Sequence, residues 1–291
     1  MTLQEYVARA TERLVQAGLN KQEASNDAEL LARHVLGWDR ATYINRHLER
    51  CPTHFEHGFS PLVGRRTKRE PVSLITGQRE FWSIPFRMAA GVLTPRPETE
   101  LIVETSIALL EHRRETSLSI ADIGTGSGCL AIALATEFRL AMVTAIDISP
   151  TAVKLAQSNA RSRGLQTRVK VIEIGLSDWL KNQTATYDLV VANLPYIPTA
   201  ETDDLPPEVK EYEPRCALDG GRDGLYPLRA LLKYAHYCLK PSGNLIVEIG
   251  LGQDKALERI TDSTVGLKMD GIRKDLQGIP RTAVIKLTNQ R

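Results

Sequence analysis

The 291-residue sequence predicts an α/β protein: a mainly parallel sheet with helices on both faces, preceded by a smaller helical domain. Three observations predict it. Residues 1–71 carry helical apolar spacing without a strand signal, residues 72–92 turn β-branched and aromatic, and from Glu98 onward apolar runs alternate with helical segments. Composition agrees, because 42% hydrophobic and 25% charged residues are ordinary for a globular chain and exclude disordered and fibrous classes.

The helical domain comes first. Leu3, Tyr6, Val7, Ala10, Leu14 and Ala17 recur at helical spacing, and Gly18 stands where a C-terminal cap belongs. Asn20 and Glu23 have capping-box spacing ahead of Ala24, Ala28, Leu31 and Val35, and Gly37 closes that second helix. Shorter helices are expected around 41–49 and 60–69. Pro71 ends this domain, and Gly77, Pro85 and Gly91 divide residues 72–92 into a β-hairpin linker.

Residues 93–291 are then the second domain. A helix is expected at 99–113, a strand at 118–123, a helix at 128–137, a strand at 141–147 and a helix at 150–163. Strands near 168–174 and 187–192, a helix at 224–239, and strands at 243–249 and 282–288 complete the alternation. The last two strands, joined through Gly252–Gly278, are expected to form an antiparallel edge.

Charge and cysteine content narrow the function classes. Thirty-seven Lys and Arg against 35 Asp and Glu leave +2, too balanced for a protein that grips nucleic acid mainly through phosphates. Four cysteines, at 51, 129, 216 and 238, lack CxxC spacing and fit a reducing cytosol. No apolar run approaches the ~18 residues of a membrane span. The opening Met1-Thr2-Leu3-Gln4-Glu5-Tyr6 lacks the order of a secretory signal, so a cytoplasmic protein is expected.

Two clusters receive a plain reading. Cys51, His54 and His57 lack a fourth ligand and a zinc-type pattern, so a solvated loop is expected there and no metal. Arg65, Arg66, Lys68 and Arg69 are expected to form a solvated helix face. Residues 1–75 hold eleven basic and nine acidic residues, so shape-based protein recognition is expected of this domain.

The chemistry begins at Asp122-Ile123-Gly124-Thr125-Gly126-Ser127-Gly128, which ends a strand and opens a helix. Glycines there let a nucleotide-like ligand approach backbone N–H groups closely. Gly128 follows Gly126 by two residues, whereas the dinucleotide fingerprint needs three, so NAD is disfavoured. Asp147 ends the next strand, where a carboxylate accepts from both ribose hydroxyls of an adenosine. After the third strand, Ser177-Asp178-Trp179 offers Asp178 to an adenine amino group and Trp179 to the ring face. Together these suggest S-adenosylmethionine as cofactor, with Gly124, Thr125, Gly126, Ser127, Gly128, Asp147, Asp178, Trp179 and Asn193 around it.

The run Asp188–Ala192 reads as the fourth strand and delivers Asn193-Leu194-Pro195-Tyr196 to the carboxyl edge of the sheet. A planar amide or aryl amine is a poor nucleophile because its nitrogen lone pair is delocalised. Acceptors on its two N–H groups push density back, and an Asn side-chain oxygen with a backbone carbonyl supplies both. Pro195 stiffens the turn and Tyr196 is expected to stack on the flat target near the sulfonium. Asn193, Pro195 and Tyr196 are the expected catalytic residues, and Leu194 joins them in binding substrate.

These motifs resemble the amino-group methyltransferases. Thr94-Pro95-Arg96-Pro97-Glu98-Thr99-Glu100 narrows the resemblance to the release factor glutamine methyltransferases of the PrmC/HemK type. It extends through Asp147-Ile148-Ser149-Pro150, Glu213-Pro214-Arg215, Ala217-Leu218-Asp219-Gly220-Gly221, Glu248-Ile249-Gly250 and Asp275-Leu276-Gln277-Gly278. The resemblance implies a Rossmann-like class I S-adenosylmethionine-dependent methyltransferase domain behind an N-terminal helical docking domain. It also implies methylation of the glutamine amide nitrogen in the Gly-Gly-Gln motif of peptide-chain release factors. From charge and apolar patterning no direct nucleic-acid or membrane partner is expected, and a monomer is expected. Arg96, Glu98 and Glu100 remain outside the catalytic set.

One residue departs from the family pattern Asn-Pro-Pro-Tyr, since Leu194 replaces the first proline. The carbonyl survives, but its rigidity now depends on Pro195 restricting the residue before it. Methylation of adenine in DNA would ask for a sizeable basic recognition region that the charge balance does not offer; two other readings stay open on the sequence, methylation of a ribosomal-protein glutamine and a non-catalytic S-adenosylmethionine-binding module.

Overall fold

A computed structural model describes residues 1–181 and 183–288. The chain divides into two compact units, one of residues 1–78 with 206–212, the other of 79–205 with 213–291.

In the first unit, α1 (Leu3–Gln16) starts at a capping box in which Thr2 and Glu5 exchange side-chain and backbone hydrogen bonds. Helix α2 (Lys21–Leu36) is capped by Asn20, whose side chain accepts from the Glu23 N–H, and it ends at Gly37 in the left-handed region. Then follow α3 (Arg40–Arg46), α4 (Phe55–Arg66) and α5 (Val72–Thr76). Leu3, Val7, Leu14, Leu31, Phe55 and Phe59 close an apolar core among them.

Two sequence expectations change here. Residues 72–76 form a helix, so the hairpin begins only at β1 (Gln78–Phe81) and β2 (Ile84–Arg87). Of the expected solvated basic face, Arg65 and Lys68 are exposed, but Arg66 and Arg69 are paired inside the unit. Arg66 is 3% exposed and donates to Asp27 at 2.7 Å and Glu23 at 2.8 Å, while Arg69 clasps Glu208 through two nitrogens. Burying a guanidinium demands such pairing.

The second unit is built on a seven-stranded sheet. Helix α6 (Glu100–Leu110) leads into β3 (Ser119–Ile123), α7 (Cys129–Glu137), β4 (Met142–Asp147), α8 (Pro150–Ser162), β5 (Val169–Glu173), α9 (Leu176–Leu180) and β6 (Tyr187–Ala192). The short α10 (Pro207–Lys210) belongs to the first unit, after which come α11 (Tyr226–Cys238), β7 (Leu239–Glu248), α12 (Asp254–Asp262), β8 (Leu267–Lys274) and β9 (Pro280–Leu287). The strand order is β5-β4-β3-β6-β7-β9-β8.

The first five are parallel, and β9 pairs antiparallel with both β7 and β8. The antiparallel edge was expected, but α12 and β8 inside Gly252–Gly278 were not. Strand β6 is buried at every residue, as a central strand covered on both faces must be. Because the order reverses between β3 and β6, a crevice opens outside their carboxyl ends.

Candidate active site at the carboxyl edge of the sheet

Strand register assembles the site. Ile123 pairs with both Ile146 and Ala192, and Ala192 pairs with Val247. The residues that follow these four strand positions therefore emerge side by side: Gly124, Asp147, Asn193 and Glu248. Gly124, Asp147 and Asn193 border a cavity of about 480 Å³, within the size range of small-molecule sites, and Glu248 is buried beside them.

The glycine turn forms its floor. Gly124, Gly126 and Gly128 all have positive φ, between 55° and 82°. A side chain at Gly128 would come within 3.0 Å of the Ala156 Cβ on α8, so the third glycine serves close helix packing. Asn159 of α8 braces the turn by donating to the Ser127 carbonyl at 2.9 Å. Thr125 and the Ala131 N–H both donate to Asp122, a fully buried carboxyl that desolvation pushes up to about 7.

Asp147 lines the cavity and accepts from the Gly126 N–H at 2.9 Å and the Ser149 N–H at 2.9 Å, one on each oxygen. A carboxylate has about four acceptor directions, so both oxygens retain capacity for ligand hydroxyls. The turn and this carboxylate fit the adenosine and amino-acid parts of S-adenosylmethionine. Thr125, Gly126, Ser127 and Asp178 also line the cavity.

Trp179 does not. It is 4% exposed and packs in the core against Tyr187, with ring centroids 5.6 Å apart. Consecutive residues on a helix point about 100° apart, so α9 turns Asp178 to the cavity and Trp179 away from it. Ile148 and Leu176 provide the apolar lining instead.

Asn193, Leu194 and Pro195 reach the cavity, whereas Tyr196 turns into the fold. Its hydroxyl bonds to Glu248, and burial together with that carboxyl raises its pKa. Tyr196, expected to stack on a target, is thus absent from the lining of this cavity and its hydroxyl braces the loop on Glu248. The backbone beneath this loop tolerates only glycine, because a Cβ at Gly224 would lie 2.1 Å from the Tyr196 carbonyl oxygen. Gln253 donates to that same oxygen at 2.9 Å. The Leu194 side chain lies over Gly124, 3.4 Å from the place its Cβ would occupy, which fixes the departing residue by packing.

Sequence reasoning missed Thr99 and Glu248 as site residues. Asn193 Nδ2 donates to Thr99 Oγ1 at 3.0 Å, and Thr99 Oγ1 donates to Glu248 Oε2 at 2.6 Å. Both residues lay inside motifs carrying the resemblance, but no local spacing links positions so far apart. Arg96, set aside earlier, lines the cavity and pairs with the buried Glu213 at 2.6 Å.

Residues 5–77 match the PrmC N-terminal domain, and residues 101–202 match the family described as Ribosomal protein L11 methyltransferase (PrmA). A Release factor glutamine methyltransferase of Rhodospirillum rubrum is 39% identical, covering 94% of this chain and 81% of that protein. The chain belongs to the release factor glutamine methyltransferases. A second family member, from Cereibacter sphaeroides, is 36% identical over 96% of each chain. Among solved structures, the hMettl16 catalytic domain in complex with MAT2A 3'UTR hairpin 6 superposes with a TM-score of 0.57 at 14% identity. That match covers 79% of this chain and 82% of that one, and it shows a shared class I methyltransferase fold.

Proposed function

We infer that this protein transfers the methyl group of S-adenosylmethionine to the side-chain amide nitrogen of the glutamine in the Gly-Gly-Gln motif of peptide-chain release factors. One observation carries the reading: the strand register places Asn193 and Leu194 on the same cavity as the glycine turn and Asp147. The names of the curated relatives support the protein substrate.

When bound, S-adenosylmethionine supplies an electrophilic methyl on a sulfonium. Asp147 would accept from the ribose hydroxyls, Gly124, Thr125, Gly126 and Ser127 would offer close backbone approach while Gly128 lets α7 pack on α8 behind them, and Asp178 would lie toward the adenine end. Asn193 Oδ1 and the Leu194 carbonyl accept from the two N–H groups of the target amide. That pair returns electron density to nitrogen and aims its lone pair at the methyl. Pro195 restricts Leu194 to extended backbone, which holds the second acceptor in place. The residues that position the amide require no side-chain base before transfer.

Residues 1–71 serve to dock the release factor, since every residue assigned to the chemistry follows them. The protein acts as a cytoplasmic monomer and engages neither nucleic acid nor membrane. Among the described residues no helix is long and apolar enough to cross a membrane. The test is incubation of the purified protein with donor carrying a labelled methyl group and a purified release factor, followed by peptide mass spectrometry. Label on the Gly-Gly-Gln glutamine is expected, and label elsewhere or none at all overturns the assignment.

A further inference from the structure

We propose that Thr99 and Glu248 are positioning residues that lock the Asn193 side-chain amide with its oxygen toward the methyl acceptor. The proposal rests on the functional reading above and deepens it. A primary amide presents an acceptor on one side and a donor on the other, and the two are nearly the same shape. A target N–H is held only by the oxygen side. Something must therefore decide which way Asn193 faces, because the reversed amide would set N–H against N–H.

The hydroxyl of Thr99 decides it. A hydroxyl has one proton and two lone pairs. Its proton goes to Glu248 at 2.6 Å, so toward Asn193 it acts only as an acceptor, and it takes the Nδ2–H at 3.0 Å. Asn193 Oδ1 is thereby left for the substrate. Thr99 is 2% exposed and Glu248 4% exposed, so water does not compete for these bonds. Glu248 also accepts from the Tyr196 hydroxyl. One carboxylate thus ties both ends of Asn193-Leu194-Pro195-Tyr196, holding Tyr196 directly and Asn193 through Thr99.

The device needs Glu248 as a carboxylate. Burial pushes it up to about 7; the Thr99 and Tyr196 hydroxyls and the Arg281 charge oppose that rise, and Glu98 adds to it. Once protonated, Glu248 can donate to Thr99, which releases the Thr99 proton toward Asn193 and favours the reversed amide. Methyl transfer should therefore fall as pH drops through about 7.

The test uses the full-length protein, saturating S-adenosylmethionine and a purified release factor. Thr99→Val, which keeps the shape and removes the hydroxyl, should lower the single-turnover rate about 10- to 100-fold. KM for the release factor and donor affinity should stay near wild type, and Thr99→Ser should retain most of the rate. Glu248→Gln should be slower at high pH and lose the acid limb of the wild-type profile. Three outcomes overturn the proposal: a wild-type rate in Thr99→Val, an equal loss in Thr99→Ser, or a loss residing entirely in donor binding.

A substrate-free measurement separates this from the functional reading. The Asn193 side-chain amide proton signals, observed by NMR with S-adenosylhomocysteine bound, should shift on Thr99→Val and hold on Thr99→Ser. If those signals are indifferent to Thr99→Val, the lock is absent whatever the substrate proves to be. Should the signals respond while the wild-type protein leaves release factors unmethylated, the lock stands and the substrate assignment fails. If Thr99→Val does not fold, the pH profile of Glu248→Gln decides, an unchanged acid limb counting against the proposal.

Discussion

At the scale of single residues, the proposed function divides the work of the cavity between Asn193 and Asp147. It gives the Asn193 side chain to the methyl acceptor, with Nδ2 already committed to Thr99. Asn193→Ala should therefore reduce methyl transfer ~10²-fold or more. Donor affinity by calorimetry should stay close to wild type, and undiminished turnover would sink the role given to this side chain. Asp147→Ala should do the reverse. It removes the proposed ribose acceptor and also two backbone partners, Gly126 and Ser149, so S-adenosylmethionine should bind at least ~10-fold more weakly. Equal affinity in the variant would place the ribose elsewhere. Asp147 was legible in the sequence because it ends a strand at a fixed distance from the glycines. Thr99 was not, since its partners stand 94 and 149 residues away.

At the scale of elements, the glycine turn and α9 show two different limits of local pattern. The turn is legible because its demand is local: positive φ and no Cβ within a few consecutive residues. Gly128→Ala should tilt α7 away from α8, since φ is +82° and the Ala156 Cβ lies 3.0 Å from the added atom. A lowered melting temperature together with weaker donor binding is expected, and an unchanged protein on both counts would refute the packing argument. Helix α9, by contrast, spans five residues, too few for periodicity to fix its phase. Asp178 and Trp179 were read as one binding pair, and only packing against Tyr187 separates them. Strand β8 escaped for another reason. Its sequence Leu267–Lys274 is charged, contains Gly271 and carries a register shift, features common on sheet edges.

At the scale of the whole molecule, the chain passes from unit to unit three times, because residues 206–212 belong with the first unit. Within that unit Glu208 meets Arg69 at 2.6 Å and Arg66 at 3.7 Å, and the Tyr212 hydroxyl donates to the Lys68 carbonyl. The segment is flanked by functional neighbours, Asn193 to Tyr196 before it and Glu213, the partner of Arg96, after it. Arg66→Met should leave Asp27 and Glu23 without their buried partner and destabilise the protein by about 3 kcal/mol. Thermal unfolding checks this, with donor affinity of the folded variant as the control. A melting temperature equal to wild type would mean that solvent compensates those carboxylates after all.

The sequence by itself determined the helical domain, the alternating α/β order, the glycine turn, Asp147 and the Asn193–Tyr196 element. Each of these is written in residues near one another, where spacing reflects the geometry of a helix, a strand end or a turn. Tertiary structure alone decided that Trp179 faces inward, that the Tyr196 hydroxyl bonds to Glu248, and that Arg66 and Arg69 of the basic run pair with Glu23, Asp27 and Glu208. It also decided that a hydroxyl and a carboxyl from distant motifs meet at Asn193. The physical reason is burial: a polar side chain taken out of water must find its partner wherever the fold brings one, and sequence spacing does not encode that distance.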